Sequence, residues 1–305
     1  MKILLLGNTG QLGWELERSL ATLGGVHAVD YPLLNLVDLS GTSNLIREVQ
    51  PDLIINATAY TDVDRAESER DLAEAINARG PALLAEETRR LGIPLVHYST
   101  DYVFDGKKGE PYMETDQPYP LGVYGESKLA GERAVQDLGG AYLILRTSWV
   151  YSLRRENFVT KVLRWSRQQA DFRLVTDQIS NPTWSRMLAE VTGQLVAMAG
   201  RDLTGWMAEH SGLYHLAGWG YASRWEWGQE ILALDAKKEE QLAREALPAS
   251  TSDFPSLAER PLFSALNCDR FFSTFGLRLP DWQHALKLAM NSIATGQGLY
   301  GDAHG

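Results

Sequence analysis

The stretch "MKILLLGNTGQLGWELERSL", residues 1–20, decides the fold of this 305-residue chain. Its apolar run "KILLL" is typical of a buried strand, and "QLGWELERSL" repeats apolar residues at helical spacing. Gly7, Gly10 and Gly13 lie between them, where a tight turn, a close backbone approach and helix–strand packing each favour a residue without a side chain. A helix that begins at such a turn presents free N–H groups and a positive dipole end to phosphate. The stretch therefore predicts a dinucleotide-binding turn.

Apolar runs and helical patterns continue to alternate through the first half of the chain. Further strands are predicted at "VHAVDY", "DLIINAT", "PLVHYST" and "AYLILRTS", with helical patterns between them. Strands that are separated by helices pair in parallel and form a sheet that is covered on both faces. The sequence thus predicts the α/β class, with a Rossmann-type, doubly wound parallel sheet.

The alternation weakens after about residue 150. A short strand is predicted at "GLYHLAG", a broken helix across 225–247, and no regular structure at the terminal segment 296–305. We therefore expect a dinucleotide-binding domain at 1–150. A smaller, mainly substrate-binding domain at 151–305 is expected to be interleaved with it.

The composition excludes several classes of protein. A surface for nucleic acid or anionic membrane needs clustered basic residues, and this chain of net charge -10 has no basic run. Its apolar stretches are too short to span a bilayer, and the N-terminal one is too short for a signal peptide. Cys268 is the only cysteine, which suits a reducing compartment. We expect a cytoplasmic protein that binds neither nucleic acid nor membrane.

The segment "VYGESKLAGE" places Tyr124 four residues before Lys128. On a helix, residues at this spacing share one face, so the phenol and the ammonium can reach one point. A nearby cation stabilises a phenolate, which lowers the pKa of the phenol and suits it to proton transfer. The alternative is an aromatic ring that packs on the aliphatic stem of a lysine.

Asp30 ends the second predicted strand, where a carboxylate can accept hydrogen bonds from the ribose hydroxyls of a bound dinucleotide. No arginine follows it closely in the sequence to hold a 2′-phosphate, so Asp30 favours NAD. The alternative is a solvated loop aspartate. Asp38 and Leu39 follow at the place where the adenine could rest.

Together, the glycine turn and "YGESK" resemble the extended short-chain dehydrogenase/reductases. Three further strings, "NATAYTDVDRAE", "YSTDYVFDG" and "LRTSWVY", occur in an order that is similar to the dTDP-4-dehydrorhamnose reductases. The resemblance is strong over residues 1–185. Beyond that it depends on sparser strings such as "RPLFSALN".

This resemblance implies that NADP or NAD serves to reduce the 4-keto group of dTDP-4-dehydro-L-rhamnose. The product is dTDP-L-rhamnose, a precursor of cell-surface polysaccharide. By resemblance, Tyr124 donates the proton, and Lys128 lowers its pKa and holds the nicotinamide ribose. Thr100 would hydrogen-bond the carbonyl; its alternative role is to cap the strand that it ends.

The resemblance also implies further contacts. Residues that would line the cofactor, in addition to Asp30 and the three glycines, are Gln11, Leu12, Asp38, Leu39, Thr58, Ala59, Tyr60, Tyr124 and Lys128. Residues that would meet the nucleotide-sugar substrate are Thr100, Asp101, Tyr124, Trp149, Asn181 and Arg260. Among these, Arg260 is a candidate for the diphosphate, because arginine binds phosphate through two parallel hydrogen bonds.

Some members of the family are described as dimers that magnesium bridges through glutamates. Glu15 and Glu190 lie at matching positions, but the third position corresponds to Gln283, and a neutral amide is a poorer ligand for a hard cation. The sequence therefore predicts no metal. It leaves a monomer and a homodimer both open.

Two other functions remain open from the sequence. One is a related nucleotide-sugar 4-ketoreductase or epimerase, which would use the same tyrosine and lysine. The other is a dinucleotide-binding regulatory subunit, such as the beta subunit of methionine adenosyltransferase. The preference between NADPH and NADH also remains open.

Overall fold

The computed structural model describes residues 1–294, whose strands and helices alternate through the first half of the chain. The strands are β1 (Lys2–Leu6), β2 (Gly25–Val29), β3 (Leu53–Asn56), β4 (Leu95–Thr100), β5 (Tyr142–Thr147), β6 (Val150–Tyr151), β7 (Arg173–Val175), β8 (Ile179–Ser180), β9 (Thr183–Trp184), β10 (Gly212–His215), β11 (Ala222–Ser223) and β12 (Leu247–Ala249). The helices are α1 (Gln11–Leu20), α2 (Leu39–Val49), α3 (Val63–Ser68), α4 (Arg70–Glu74), α5 (Gly80–Leu91), α6 (Val123–Leu138), α7 (Phe158–Gln168), α8 (Ser185–Ala199), α9 (Leu203–Glu209), α10 (Arg224–Leu234), α11 (Asp269–Phe275) and α12 (Trp282–Ala294).

One six-stranded parallel sheet organises the fold, in the order β10-β5-β4-β3-β1-β2. Its central strands are buried on both faces, because α1 and α8 cover one side and α2 and α5 the other. Burial on both faces explains why β1 reads as a continuous apolar run rather than an alternating one. The prediction of a Rossmann-type, doubly wound parallel sheet is confirmed.

The second half of the chain contributes to this sheet as well. Strand β10 pairs with β5, and α8 packs against α1. A separate apolar cluster gathers α7, α10 and α12 around aromatic rings that include Tyr151 and Trp227. The division near residue 150 stays a prediction. The expectation for residues 296–305 lies outside the described part of the chain.

Two helical segments depart from regular α-helix. The break expected within 225–247 follows Leu234, where Asp235 leaves the helical conformation and its carboxylate accepts hydrogen bonds from Arg167. The long helix that precedes β4 is interrupted by a π-helical turn over Ala75–Arg79. Within the described residues, no helix is both long and apolar enough to cross a bilayer.

A buried ion pair ties α6 to β5. Both guanidinium edges of Arg146 contact Glu132, with Nε–Oε1 at 2.8 Å and Nη2–Oε2 at 2.6 Å. The two side chains are only 3% and 1% exposed. Removal of one partner would leave the other charge buried without compensation, which costs far more than loss of a surface pair.

We therefore expect Glu132→Gln to lower the free energy of unfolding by about 3–5 kcal/mol. The measurement is urea unfolding of both proteins. The matched control is Glu126→Gln on the same helix, because Glu126 pairs with Arg70 where both side chains are about half exposed. That exposed pair should contribute about 1 kcal/mol or less. Equal losses in the two variants would contradict the prediction.

Candidate active site

A cavity of about 910 Å³ opens at the carboxyl ends of β1, β3, β4 and β5. Ligands bind at this edge in open parallel sheets. The predicted residues that line the cavity are Gly7, Gly10, Gln11, Leu12, Asp30, Thr58, Ala59, Thr100, Asp101, Tyr124, Lys128 and Trp149. Those that do not line it are Gly13, Asp38, Leu39, Tyr60, Asn181 and Arg260.

The glycine turn forms one wall of this cavity. Gly7 has a φ of +90°, and a Cβ there would lie 2.9 Å from Thr58 Cγ2. A Cβ at Gly13 would lie 2.0 Å from the Gly7 carbonyl oxygen, so Gly13 lets α1 pack on the turn without reaching the cavity itself. Gly10 is the N-cap of α1, and no side chain caps that helix end. The backbone N–H groups of the helix end are therefore available to an anion.

Gln11 fixes the turn to the second half of the chain. Its side-chain oxygen accepts hydrogen bonds from the Ser152 backbone at 2.9 Å and from Asn157 Nδ2 at 3.0 Å. Its amide nitrogen donates to the Val150 carbonyl at 3.4 Å. The role of Gln11 is thus at least in part to hold the walls of the cavity together.

Asp30 lies at the far end of the cavity, at the end of β2. Its carboxylate accepts hydrogen bonds from the Thr9 hydroxyl at 2.5 Å and the Tyr31 N–H at 2.8 Å. Asp38 instead caps α2 by accepting from the Gly41 N–H, and Leu39 begins that helix, so neither reaches the cavity. The residues that surround Asp30 there are Tyr31, Leu34, Asn35 and Leu36, which immediately follow it in the sequence.

Tyr124, Thr100 and Lys128 meet at the other end. Thr100 ends β4, and its hydroxyl interacts with the phenol of Tyr124 on α6. The Thr100 hydroxyl also accepts a hydrogen bond from the Tyr102 N–H at 3.2 Å. Thr100 therefore caps the turn after β4 and faces the phenol as well, so its two predicted roles are compatible.

The pKa of Tyr124 differs from the sequence-based expectation. Burial raises it above the ordinary range, and the interaction with Thr100 offsets only part of this effect. Lys128 does not contact the phenol; its Nζ donates to the Tyr98 carbonyl at 2.7 Å. Burial dominates because the charged phenolate is disfavoured away from water. The phenol is thus held in its protonated form.

The ammonium of Lys128 is buried beside the same cavity, with its side chain 2% exposed. Burial lowers the pKa of Lys128 to about 8, and the carboxylate of Glu132 opposes this shift. The group is therefore charged at neutral pH and becomes neutral as the pH rises through about 8.

Two predicted substrate residues connect separate segments of the chain. The buried carboxylate of Asp101 accepts hydrogen bonds from Ser180 at 2.9 Å and Ser264 at 2.5 Å, and burial raises its pKa to about 6. The Asn181 side chain is fully buried, donates to the Gly220 carbonyl at 2.7 Å and accepts from the Leu266 N–H at 2.7 Å. Asp101 lines the cavity, whereas the amide of Asn181 makes its hydrogen bonds to the protein backbone and does not line the cavity.

Trp149 lines the cavity in a left-handed backbone conformation, with φ at +39°. Its ring stacks on Trp227, with 5.6 Å between centroids, and on the guanidinium of Arg224. Arg260 does not line the cavity, and it pairs with Asp64 at 2.7 Å.

Several cavity residues could not be identified from the sequence. The hydroxyls of Ser99 and Thr147 are buried without a hydrogen-bond partner and line the cavity. Buried polar groups are almost always paired, so these two mark places where a ligand or water binds. Arg155 also lines the cavity and donates to the Thr9 carbonyl at 3.1 Å. It lies far from Asp30 in the sequence, so no local spacing could reveal it.

The predicted metal-bridging positions lie on another surface. Glu15 and Glu190 line a cavity of about 890 Å³ that Ser292 also lines, whereas Gln283 does not. The assignment of the third position to Gln283 stays a prediction; Gln283 lies at the beginning of α12 and Ser292 near its end. Among residues 1–294, no group of three or more acidic, histidine or cysteine side chains is placed to hold a metal ion. The expectation about magnesium stays a prediction.

Known proteins are similar to this chain in both sequence and fold. Residues 1–295 match the family described as the RmlD substrate binding domain. The dTDP-4-dehydrorhamnose reductase of Escherichia coli (strain K12) is 39% identical, over 97% of this chain and 99% of that protein. The crystal structure of a dTDP-4-dehydrorhamnose reductase from Clostridium acetobutylicum ATCC 824 has a TM-score of 0.87 at 31% identity, covering 96% of this chain and 100% of that one. The Bacillus anthracis str. Ames enzyme, crystallised in complex with NADP, has a TM-score of 0.86 at 32% identity, covering 95% and 99%. This chain therefore belongs to the RmlD substrate binding domain family.

Proposed function

We propose that this protein reduces the 4-keto group of dTDP-4-dehydro-L-rhamnose to give dTDP-L-rhamnose, with NADPH or NADH as the reductant. The observation that carries the proposal is the meeting of Tyr124, Thr100 and Lys128 at one end of a cavity whose other end holds the glycine turn. Relatives that match this chain over nearly their full length are named dTDP-4-dehydrorhamnose reductases. The regulatory alternative has no need of this constellation.

The cavity fits a nicotinamide dinucleotide. The turn at Gly7 and Gly10 would receive the pyrophosphate, Asp30 the adenosine ribose, and Lys128 the nicotinamide ribose. Ser99 and Thr147 offer unpaired hydroxyls to the nicotinamide end. When bound, the reduced cofactor supplies a hydride to the carbonyl carbon of the sugar.

The protein residues supply the proton. As negative charge develops on the carbonyl oxygen, the protonated phenol of Tyr124 donates to it. Thr100 orients the same oxygen by a hydrogen bond, and the charge of Lys128 stabilises the phenolate that remains. Burial favours this direction of transfer, because it keeps the phenol protonated until the alkoxide forms.

Trp149 and Asp101 line the substrate end of the cavity, and we assign them to the sugar. Asn181 does not meet the sugar in this proposal. Its hydrogen bonds to Gly220 and Leu266 hold together the segments that form the substrate end. We also assign the protein to the cytoplasm, with which its free, buried Cys268 is compatible.

Tyr124→Phe removes the proton donor and keeps the ring. We expect kcat to fall by about 10²–10⁴-fold, because general acid catalysis contributes that much. Binding of NADPH, measured by its fluorescence, should be retained. The control is Tyr119→Phe, at a tyrosine that is 66% exposed and outside the cavity. Retained turnover in Tyr124→Phe would exclude Tyr124 as the proton donor. NADPH binding by the unmodified protein without any turnover would favour the regulatory role.

Lys128→Met replaces the buried ammonium by an uncharged chain of similar length. We expect both kcat and the affinity for NADPH to fall, since one side chain serves both. In the unmodified enzyme, kcat/KM should decline as the pH rises through about 8, where Lys128 loses its charge. Lys107→Met, at an exposed lysine, is the control. Unchanged NADPH affinity in Lys128→Met would disprove the ribose contact, and a profile flat to pH 10 would disprove the charge requirement.

Asp30→Ala removes the carboxylate at the adenosine end. We expect KM for NADH to rise about tenfold or more, the value of a charge-assisted hydrogen bond, with little change for NADPH. The asymmetry is expected because the 2′-hydroxyl that Asp30 would bind carries a phosphate in NADPH. Asp52→Ala, at an exposed residue before β3, is the control. Equal losses with both cofactors would refute the ribose assignment.

A further inference from the structure

Arg224 is the first residue of α10, and its guanidinium lies against aromatic rings beside the active site. Its Cζ is 3.6 Å from the ring centroid of Trp149 and 4.8 Å from that of Phe158. A third ring, Trp227, is 5.5 Å away. Stacking of this kind restricts the guanidinium by cation–π attraction while its N–H edges stay available.

Tyr102 lies between this guanidinium and the catalytic tyrosine, Tyr124. Arg224 and Arg260 both interact with the hydroxyl of Tyr102. The ring of Tyr102 packs edge-to-face on Tyr124, with centroids 5.6 Å apart. Two cations from the second half of the chain therefore converge next to the proton donor.

Among residues 1–294, Arg224 has no ion-pair partner of its own at this point. Arg260 has Asp64 as an ion-pair partner, whereas none of the ion pairs in the described part of the chain includes Arg224. The nearest acid that acts on it is Asp101, whose oxygens already accept from Ser180 and Ser264 and whose pKa is raised to about 6. Asp101 thus offsets Arg224 only in part.

The N-terminus of α10 is not the source of the unpaired positive charge. The N-cap of α10 is Ser223, whose backbone N–H and hydroxyl both donate to Glu226. This capping box occupies the first turn and places an exposed carboxylate there. The unpaired charge is therefore that of the arginine itself. Burial lowers the pKa of Arg224 to about 10, so it remains charged at neutral pH.

We propose that Arg224 binds the diphosphate of the nucleotide-sugar substrate and, by its stack on Trp149, positions that ring over the sugar. The inference rests on the proposed function and adds a specificity-determining residue to it. A half-buried guanidinium without an ion-pair partner of its own is costly unless an anion pairs with it, and this protein has a net charge of -10. A diphosphate supplies that charge and matches the planar donors of arginine.

The test is calorimetric titration of the protein, saturated with NADP⁺, with dTDP and with thymidine. Saturation with NADP⁺ prevents dTDP from binding at the glycine turn. We expect Arg224→Met to weaken dTDP binding about 10- to 100-fold, as loss of a charge-assisted hydrogen bond does, and to leave thymidine binding nearly unchanged. Arg224→Lys keeps the charge but not the planar stack, so an intermediate loss is expected.

The control is Arg278→Met, because the guanidinium of Arg278 lies over Trp219 at 5.2 Å on an exposed surface. It should bind dTDP as the unmodified protein does. Thermal unfolding and NADP⁺ binding establish that each variant is folded; if Arg224→Met is not, Arg224→Lys is compared instead.

Unchanged dTDP affinity in the Arg224 variants, or equal losses for dTDP and thymidine, would overturn the inference. If the unmodified protein prefers UDP to dTDP but shows the same dependence on Arg224, the diphosphate contact is supported and the proposed substrate is not.

Discussion

The structure depends on the close contact between the first strand and the first helix. A Cβ at residue 13 would lie 2.0 Å from the carbonyl oxygen of Gly7, so only glycine lets α1 lie this close to the turn. That contact leaves the N-terminus of α1 open towards the cavity. It also directs Gln11 across to the backbone of Ser152. The turn that would hold the pyrophosphate is thereby fixed from both halves of the chain.

Burial sets the chemistry at the other end of the cavity. The phenol of Tyr124 and the ammonium of Lys128 lie in the same buried region, and burial disfavours the charged form of each. The tyrosine therefore stays protonated, while the lysine titrates closer to neutral pH. A reductase needs this combination, because its tyrosine must donate a proton and its lysine must support the resulting phenolate.

The substrate end is assembled from segments that are far apart in the sequence. Asp101 follows β4, yet its hydrogen-bond partners, Ser180 and Ser264, belong to the second half. Arg224 reaches Trp149 from the beginning of α10. Because several segments must pack before this end exists, its shape depends on the folded state of the whole chain.

The sequence by itself determined the sheet, the glycine turn, the family and the spacing that brings Tyr124 and Lys128 to one cavity. These features are encoded locally, since hydrophobic period, turn residues and i, i+4 spacing act over a few residues. Only the tertiary structure placed Asp38 outside the cavity, brought Arg155 to it, and stacked Arg224 on Trp149. It also reversed the expected direction of the Tyr124 pKa. Contacts between distant residues and the extent of burial arise from packing, which no local spacing records.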